Sequence, residues 1–172
     1  EGIHPIIGCE VYVARRTRFD KVHEYDAESR HLVLLCKNET GYRNLSYMVS
    51  QAFVEGFYIK PRIDLDLLRQ HSEGLIALSA CLAGEIPKRL VNGDYDGAKE
   101  YALTMQETFG EDNFYLELQD HGIPQQTLVN RDLLRIHQET GIPLVCTNDA
   151  HYLRPEDAES HDVLLCIQTG KT

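Results

Sequence analysis

Short apolar runs alternate with longer amphipathic stretches along this chain, and that alternation leaves few folds open to it. The strand-like runs fall at residues 5–13, 31–35, 75–79, 113–118 and 143–146, and most are followed by a helical pattern. The helix expected at 96–109 carries Ala98, Ala102, Met105 and Phe109 on one face, with Gly110 just past its end. A second, at 124–140, carries the stripe Val129, Leu133 and Ile136, with Pro124 in its first turn and Gly141 at its stop. Residues 38–54 and 155–167 complete the helices. Repeated β-then-α units imply a parallel sheet covered by helices, because a parallel strand is reached only through a crossover. An open doubly wound sheet and a closed barrel both satisfy the pattern. No low-complexity linker or internal repeat divides the chain, and the charged segment 15–30 reads as a solvated surface loop between two strands.

The chain has 172 residues, 42% of them hydrophobic, enough for one ordinary core. No apolar run approaches the roughly 20 residues a membrane-spanning helix needs. The first residues, Glu1-Gly2-Ile3-His4-Pro5, do not resemble a signal peptide, so a cytoplasmic location with no membrane partner is expected. Seventeen Lys and Arg against 27 Asp and Glu give a net charge of −10. Such a surface repels a phosphate backbone unless bound cations or another domain supply positive charge. The five cysteines are odd in number and widely spaced, which excludes both a disulfide framework and a zinc knuckle. Cys9, Cys36 and Cys146 lie in strand-like runs and are expected to be small buried hydrophobes.

Residues able to bind metal collect after strands, where β/α folds hold ligands. The run 143–145 stops at Thr147-Asn148-Asp149-Ala150-His151, placing a carboxylate and an imidazole two residues apart. An aspartate in such a loop is often a helix cap, but the next helix is expected to start at Pro155 with Glu156 and Asp157 in its first turn. Asp149 and His151 are thereby left for chemistry. Cys81 and His121 each follow another strand, and Glu10 lies within the first, where burying its carboxylate costs several kcal/mol unless it is paired or bound to a cation. His31 stands at the front of its strand and by itself reads more simply as a surface histidine. An antiparallel hairpin across segment 15–30 would nevertheless bring it to the same mouth as Glu10. His4, His23, His71 and His137 read as loop or exposed helix residues, and His161 as a packing or hydrogen-bonding one. Glycine-rich phosphate loops and the G-x-S-x-G elbow are absent. The tail Gly170-Lys171-Thr172 only mimics the end of a Walker motif.

The run Thr147-Asn148-Asp149-Ala150-His151-Tyr152-Leu153, then Glu156-Asp157-Ala158 and His161-Asp162-Val163-Leu164-Leu165-Cys166-Ile167-Gln168-Thr169-Gly170-Lys171-Thr172, resembles the end of the PHP (polymerase and histidinol phosphatase) domain of bacterial replicative DNA polymerase III alpha subunits. Three other segments resemble the same family: Pro5-Ile6-Ile7-Gly8-Cys9-Glu10-Val11-Tyr12-Val13, His31-Leu32-Val33-Leu34-Leu35 leading into Asn38-Glu39-Thr40-Gly41-Tyr42-Arg43-Asn44-Leu45, and Leu78-Ser79-Ala80-Cys81-Leu82-Ala83-Gly84-Glu85. The resemblance covers essentially the whole chain in order. It implies an α/β fold, part of a distorted TIM-like barrel of seven β/α units, with up to three divalent metals at the C-terminal mouth. By motif position Glu10, His31, Cys81, Asp149 and His151 match family metal ligands, with Asp149 and His151 also the catalytic pair, and His121 matches none. The family's earlier His-x-His, its following acidic residue and its Thr-Asp-His-Gly segment are not in this sequence. The expectation is therefore a single domain over 1–172, the later portion of a PHP domain lacking its first β/α units, with an incomplete ligand set and the polymerase palm to follow.

The activity implied is 3′ to 5′ exonucleolytic proofreading by metal-assisted attack on a phosphodiester. The N, O and S donor set suits Zn²⁺, and its carboxylate-rich side suits Mn²⁺. DNA, through the parent polymerase, and other replicative subunits are the implied partners. The fragment alone is expected to be inactive, and its exposed apolar edges could drive self-association. Two alternatives stand beside this: a PHP scaffold without catalysis that stabilises the polymerase and docks a proofreading subunit, and a free-standing PHP phosphatase.

Overall fold

The computed structural model describes residues 2–171; Glu1, and Thr172 at the end of the last motif, lie outside the described residues. Among these, six strands and seven α-helices follow one another as β1 (Gly8–Val13), α1 (His23–Asp26), β2 (Arg30–Cys36), α2 (Glu39–Val54), β3 (Arg62–Ile63), α3 (Leu65–His71), β4 (Leu75–Leu78), α4 (Glu85–Val91), α5 (Tyr95–Phe109), β5 (Phe114–Leu118), α6 (Pro124–Thr140), β6 (Leu144–Cys146) and α7 (Ala158–Thr169). A 3₁₀ turn, Pro155–Asp157, leads into α7 and supplies the helix start expected there.

The long helices form where local chemistry closes their ends. Asn38 caps α2 by accepting from the Gly41 N–H at 3.0 Å, and Asp94 does the same for α5 from Gly97 at 3.0 Å. Gly141, left-handed at φ 76°, ends α6. The expected stripes are the buried ones: Ala98, Ala102, Met105 and Phe109 on α5, and Val129, Leu133 and Ile136 on α6.

The sheet runs in the order β3-β1-β2-β4-β5-β6. Five of its strands run in one direction, paired in parallel as β1–β3, β4–β5 and β5–β6, while β2 lies antiparallel to both neighbours, β1 and β4. The β1–β2 hairpin is the one that could carry His31 to the mouth, and its register pairs Tyr12 with His31 and Glu10 with Val33. Val11, Val13, Leu32, Leu34, Ala77, Phe114 and Leu116 are buried beneath the helices, and strand alternation puts them all on one face. A doubly wound sheet is covered on both faces, so this one-sided layer favours the barrel-type arrangement. Glu10, Tyr12, His31, Val33, Tyr115 and Glu117 fall on the opposite face by the same alternation.

Three expectations are corrected. Glu10 is not buried: its side chain is 41% exposed, because it occupies the face of β1 that no helix covers. Cys146 is exposed at the end of edge strand β6, whereas Cys9 and Cys36 are half-buried against the core. Segment 15–30 is more than a solvated loop, since it contains α1 and buries Asp26. Arg16 pairs with Asp26 through two hydrogen bonds, and the buried Arg62 guanidinium donates to the carbonyls of Arg18, Asp20, Asp26 and Gly56. The charges turn inward because a distant strand brings Arg62 to meet them. Among the described residues no helix is long and apolar enough to cross a membrane.

Candidate metal centre at the strand mouth

The reversal of β2 decides which side chains meet. With Tyr12 opposite His31, Glu10 is its diagonal neighbour on the same face, within reach of a long side chain. Glu10 Oε1 lies 3.0 Å from His31 Nδ1. From the other side the chain leaving β4 turns back sharply at Ala80, whose φ is +65°, and brings Cys81 Sγ to 3.8 Å from the same nitrogen. The turn docks through the backbone: the His31 N–H donates to the Ala83 carbonyl at 3.1 Å, and the Gly84 N–H to that of Cys81 at 2.8 Å. Tyr12 packs edge-on to the His31 ring with centroids 5.2 Å apart.

Oxygen, nitrogen and sulfur donors of Glu10, His31 and Cys81 all lie within 4.8 Å of one another, which among the described residues is the one such group able to hold a metal ion. The spacing fits a single ion touching all three, and the mixed donor set is one that zinc accepts. Within the cluster His31 pairs with both Glu10 and Cys81. The Cys81 contact, followed by the Glu10 carboxylate, pushes the His31 pKa up to about 10. The hydrogen bond from His31 in turn lowers that of Glu10, against partial burial, and His151 adds to the downward pull.

Asp149 and His151 lie outside the three-residue cluster. They line an adjoining pocket with His121, Asn148, Tyr152 and His161. Asp149 is left-handed at φ 46°, a conformation aspartate tolerates. His151 Nδ1 donates to the Asp149 carbonyl at 2.7 Å, since a carbonyl can only accept, and Nε2 is left outside this contact. His161 packs against the rings of His151 and Tyr152, the packing role expected of it. His121 reaches the pocket, but both its nitrogens are engaged, Nε2 with the Asn148 carbonyl at 2.7 Å and Nδ1 with Gln126 Nε2 at 2.8 Å. It serves as a latch for this loop.

Tyr12 and Glu117 are not among the residues expected at the site. Glu117 offered the same signal as Glu10, a carboxylate in an apolar strand, but here the carboxylate is buried, at 6% exposure. Gly84 is a close-approach position, where a Cβ would meet the Ser79 carbonyl at 2.2 Å. Gly84→Ala is therefore expected to displace the Cys81 turn and cost about 1–3 kcal/mol, read as a lower unfolding temperature and faster reaction of Cys81 with a thiol reagent.

The family model for the PHP domain matches residues 1–121. The chain is 50% identical over 172 residues to the DNA polymerase III subunit alpha of Treponema pallidum (strain Nichols), a match that covers 99% of the chain and 15% of that protein. It is 47% identical to the subunits of the same name from Borreliella burgdorferi, over 98% of the chain and 15% of the relative, and from Thermus aquaticus, over 99% and 14%. The chain thus spans about 15% of the length of the first of these relatives. With the family model covering most of its length and these relatives alongside, the chain belongs to the PHP domain family.

Proposed function

We propose that this chain is the metal-binding PHP domain of a bacterial replicative DNA polymerase, and that its mouth is a multi-metal phosphoesterase site working as a 3′ to 5′ exonuclease. The observation that carries the reading is the convergence of Glu10, His31 and Cys81 from three separate segments on one point of O, N and S donors. A bound Zn²⁺ or Mn²⁺ supplies Lewis acidity toward a phosphodiester and makes water more acidic. The chain's own residues prepare for it. Glu10, His31 and Cys81 would hold the ion through O, N and S donors, with His31 bound as the neutral imidazole. Tyr12 keeps the imidazole plane fixed. His151, with Nδ1 tied to the Asp149 carbonyl, keeps Nε2 for a ligand, His121 holds the Asn148 carbonyl, and the carboxylate of Asp149 stands beside them as a further ligand or proton acceptor. A chain of net charge −10 approaches DNA through cations held at this mouth or through basic surface elsewhere in a longer polymerase. DNA and the other replicative subunits are its proposed partners.

The names of the relatives favour a polymerase over a free-standing phosphatase. The alternative is a PHP scaffold without catalysis that stabilises the polymerase and docks a proofreading subunit. Elemental analysis and a nuclease assay on the intact protein separate the two. Near-stoichiometric zinc or manganese is expected. In the Asp149→Ala, His151→Ala variant, 3′ to 5′ hydrolysis of single-stranded DNA should fall on the order of a hundredfold or more. Metal-free, inactive wild-type protein would move the assignment to the scaffold.

A further inference from the structure

We propose that Glu117 is a positioning residue that sets the Cys81 turn against the Asp149 loop. Its consequence for metal rests on the site reading above; its structural role does not. The side chain is buried in β5, yet its two oxygens face different strand ends. Oε2 accepts from the Ala80 N–H at 2.9 Å, one residue before Cys81. Oε1 accepts from the Thr147 hydroxyl, two residues before Asp149, and from Gln119 Nε2 at 3.2 Å. Gln119 Nε2 also reaches Thr147 Oγ1 at 3.1 Å, closing a triangle, and Asn130 of α6 holds the Gln119 carbonyl at 2.9 Å. The Glu117 N–H donates to Ser79 Oγ at 2.8 Å, so both neighbours on the Cys81 side are held by this one residue.

A buried carboxylate with three neutral donors is costly where strand packing alone would be met by leucine. What glutamate adds is two acceptors at a fixed separation, each aimed at a loop that carries a proposed ligand. The Ala80 end needs holding, because a left-handed alanine is strained and relaxes if its N–H is released. The distance between the two halves of the mouth is thus set by one side chain that touches neither metal nor substrate.

Three readings on the intact protein test this: hydrogen exchange resolved by peptide, the alkylation rate of Cys81, and Co²⁺ titration followed by the thiolate-to-cobalt absorption band. In Glu117→Ala, exchange at Ala80 and across 147–151 should rise about tenfold, Cys81 should react faster, and the cobalt band should weaken, while α5 and α6 exchange as in wild type. Thr147→Val, a milder change that keeps the fold, should loosen 147–151 alone and leave Cys81 at its wild-type rate. Wild-type exchange at 147–151 in Thr147→Val overturns the proposal, as does a uniform rise through the whole domain in Glu117→Ala. If Glu117→Ala does not fold, Thr147→Val decides. If wild-type protein takes up no Co²⁺, the metal reading fails, and exchange and alkylation still decide the role of Glu117.

Discussion

Replacing Cys81 by alanine is expected to weaken Zn²⁺ binding by the intact protein on the order of a hundredfold or more, while changing Mn²⁺ binding far less. Structural zinc sites gain roughly 10–16 kcal/mol from about four ligands, so one thiolate accounts for about 3 kcal/mol. Manganese prefers carboxylate and water to sulfur, and loses little with it. The divergence between the two metals, measured by competition against a chromogenic chelator, distinguishes loss of a sulfur ligand from general damage to the mouth. The same titration should depend on pH. With its pKa at about 10 in the metal-free protein, His31 is protonated at neutral pH, so uptake of an ion there releases its proton, and affinity should climb as pH rises toward that value. Stability of the metal-free protein runs the opposite way. The folded value lies above the ordinary 6.5, so the contribution of this pair is fully present below pH 6.5 and is lost as pH rises through about 10.

Arg62→Met should lower the stability of the domain by about 3 kcal/mol, a drop of roughly 6–12 °C in its unfolding temperature. Arg62 is 1% exposed. Burial pushes its pKa down, and its hydrogen bonds go to four backbone carbonyls rather than to a carboxylate. Methionine fills the space but leaves those acceptors facing an apolar group, with only part of the cost offset by removing a buried charge. Arg62→Lys should fail to restore the loss, because an ammonium cannot span the same acceptors. Faster proteolytic cutting within residues 15–30, with α5 and α6 still protected, would locate the damage; an unfolding temperature within a degree or two of wild type would count against this account.

What the sequence disclosed was what long, regular patterns can carry. The stripes on α5 and α6 were legible because each spans about four turns with a glycine stop. Asp149 and His151 were legible as loop residues because a proline-led helix start after them takes the capping role. The elements β3, with two residues, and α3 and α4, with seven each, are too short to show a period. Glu10 and Glu117 look alike in sequence, each a carboxylate in an apolar strand. Only the sheet order, which leaves Glu10 on an uncovered face and sets Glu117 beneath two loops, tells the exposed one from the buried one. The inward turn of segment 15–30 depends on Arg62, a partner that local charge patterning cannot supply.

The strand pairings also suggest an order of assembly during synthesis. Glu10 and His31 meet through pairing of consecutive strands, a contact that forms as soon as β2 is available. Cys81 arrives when β4 docks on the free edge of β2, and the loop bearing Asp149 and His151 only after β6 has closed onto β5. An ion captured by the nascent chain would therefore meet first a two-ligand site and then a sulfur-containing one. On the proposed reading, metal choice would fall to the hairpin and the Cys81 turn before the loop bearing Asp149 and His151 is in place.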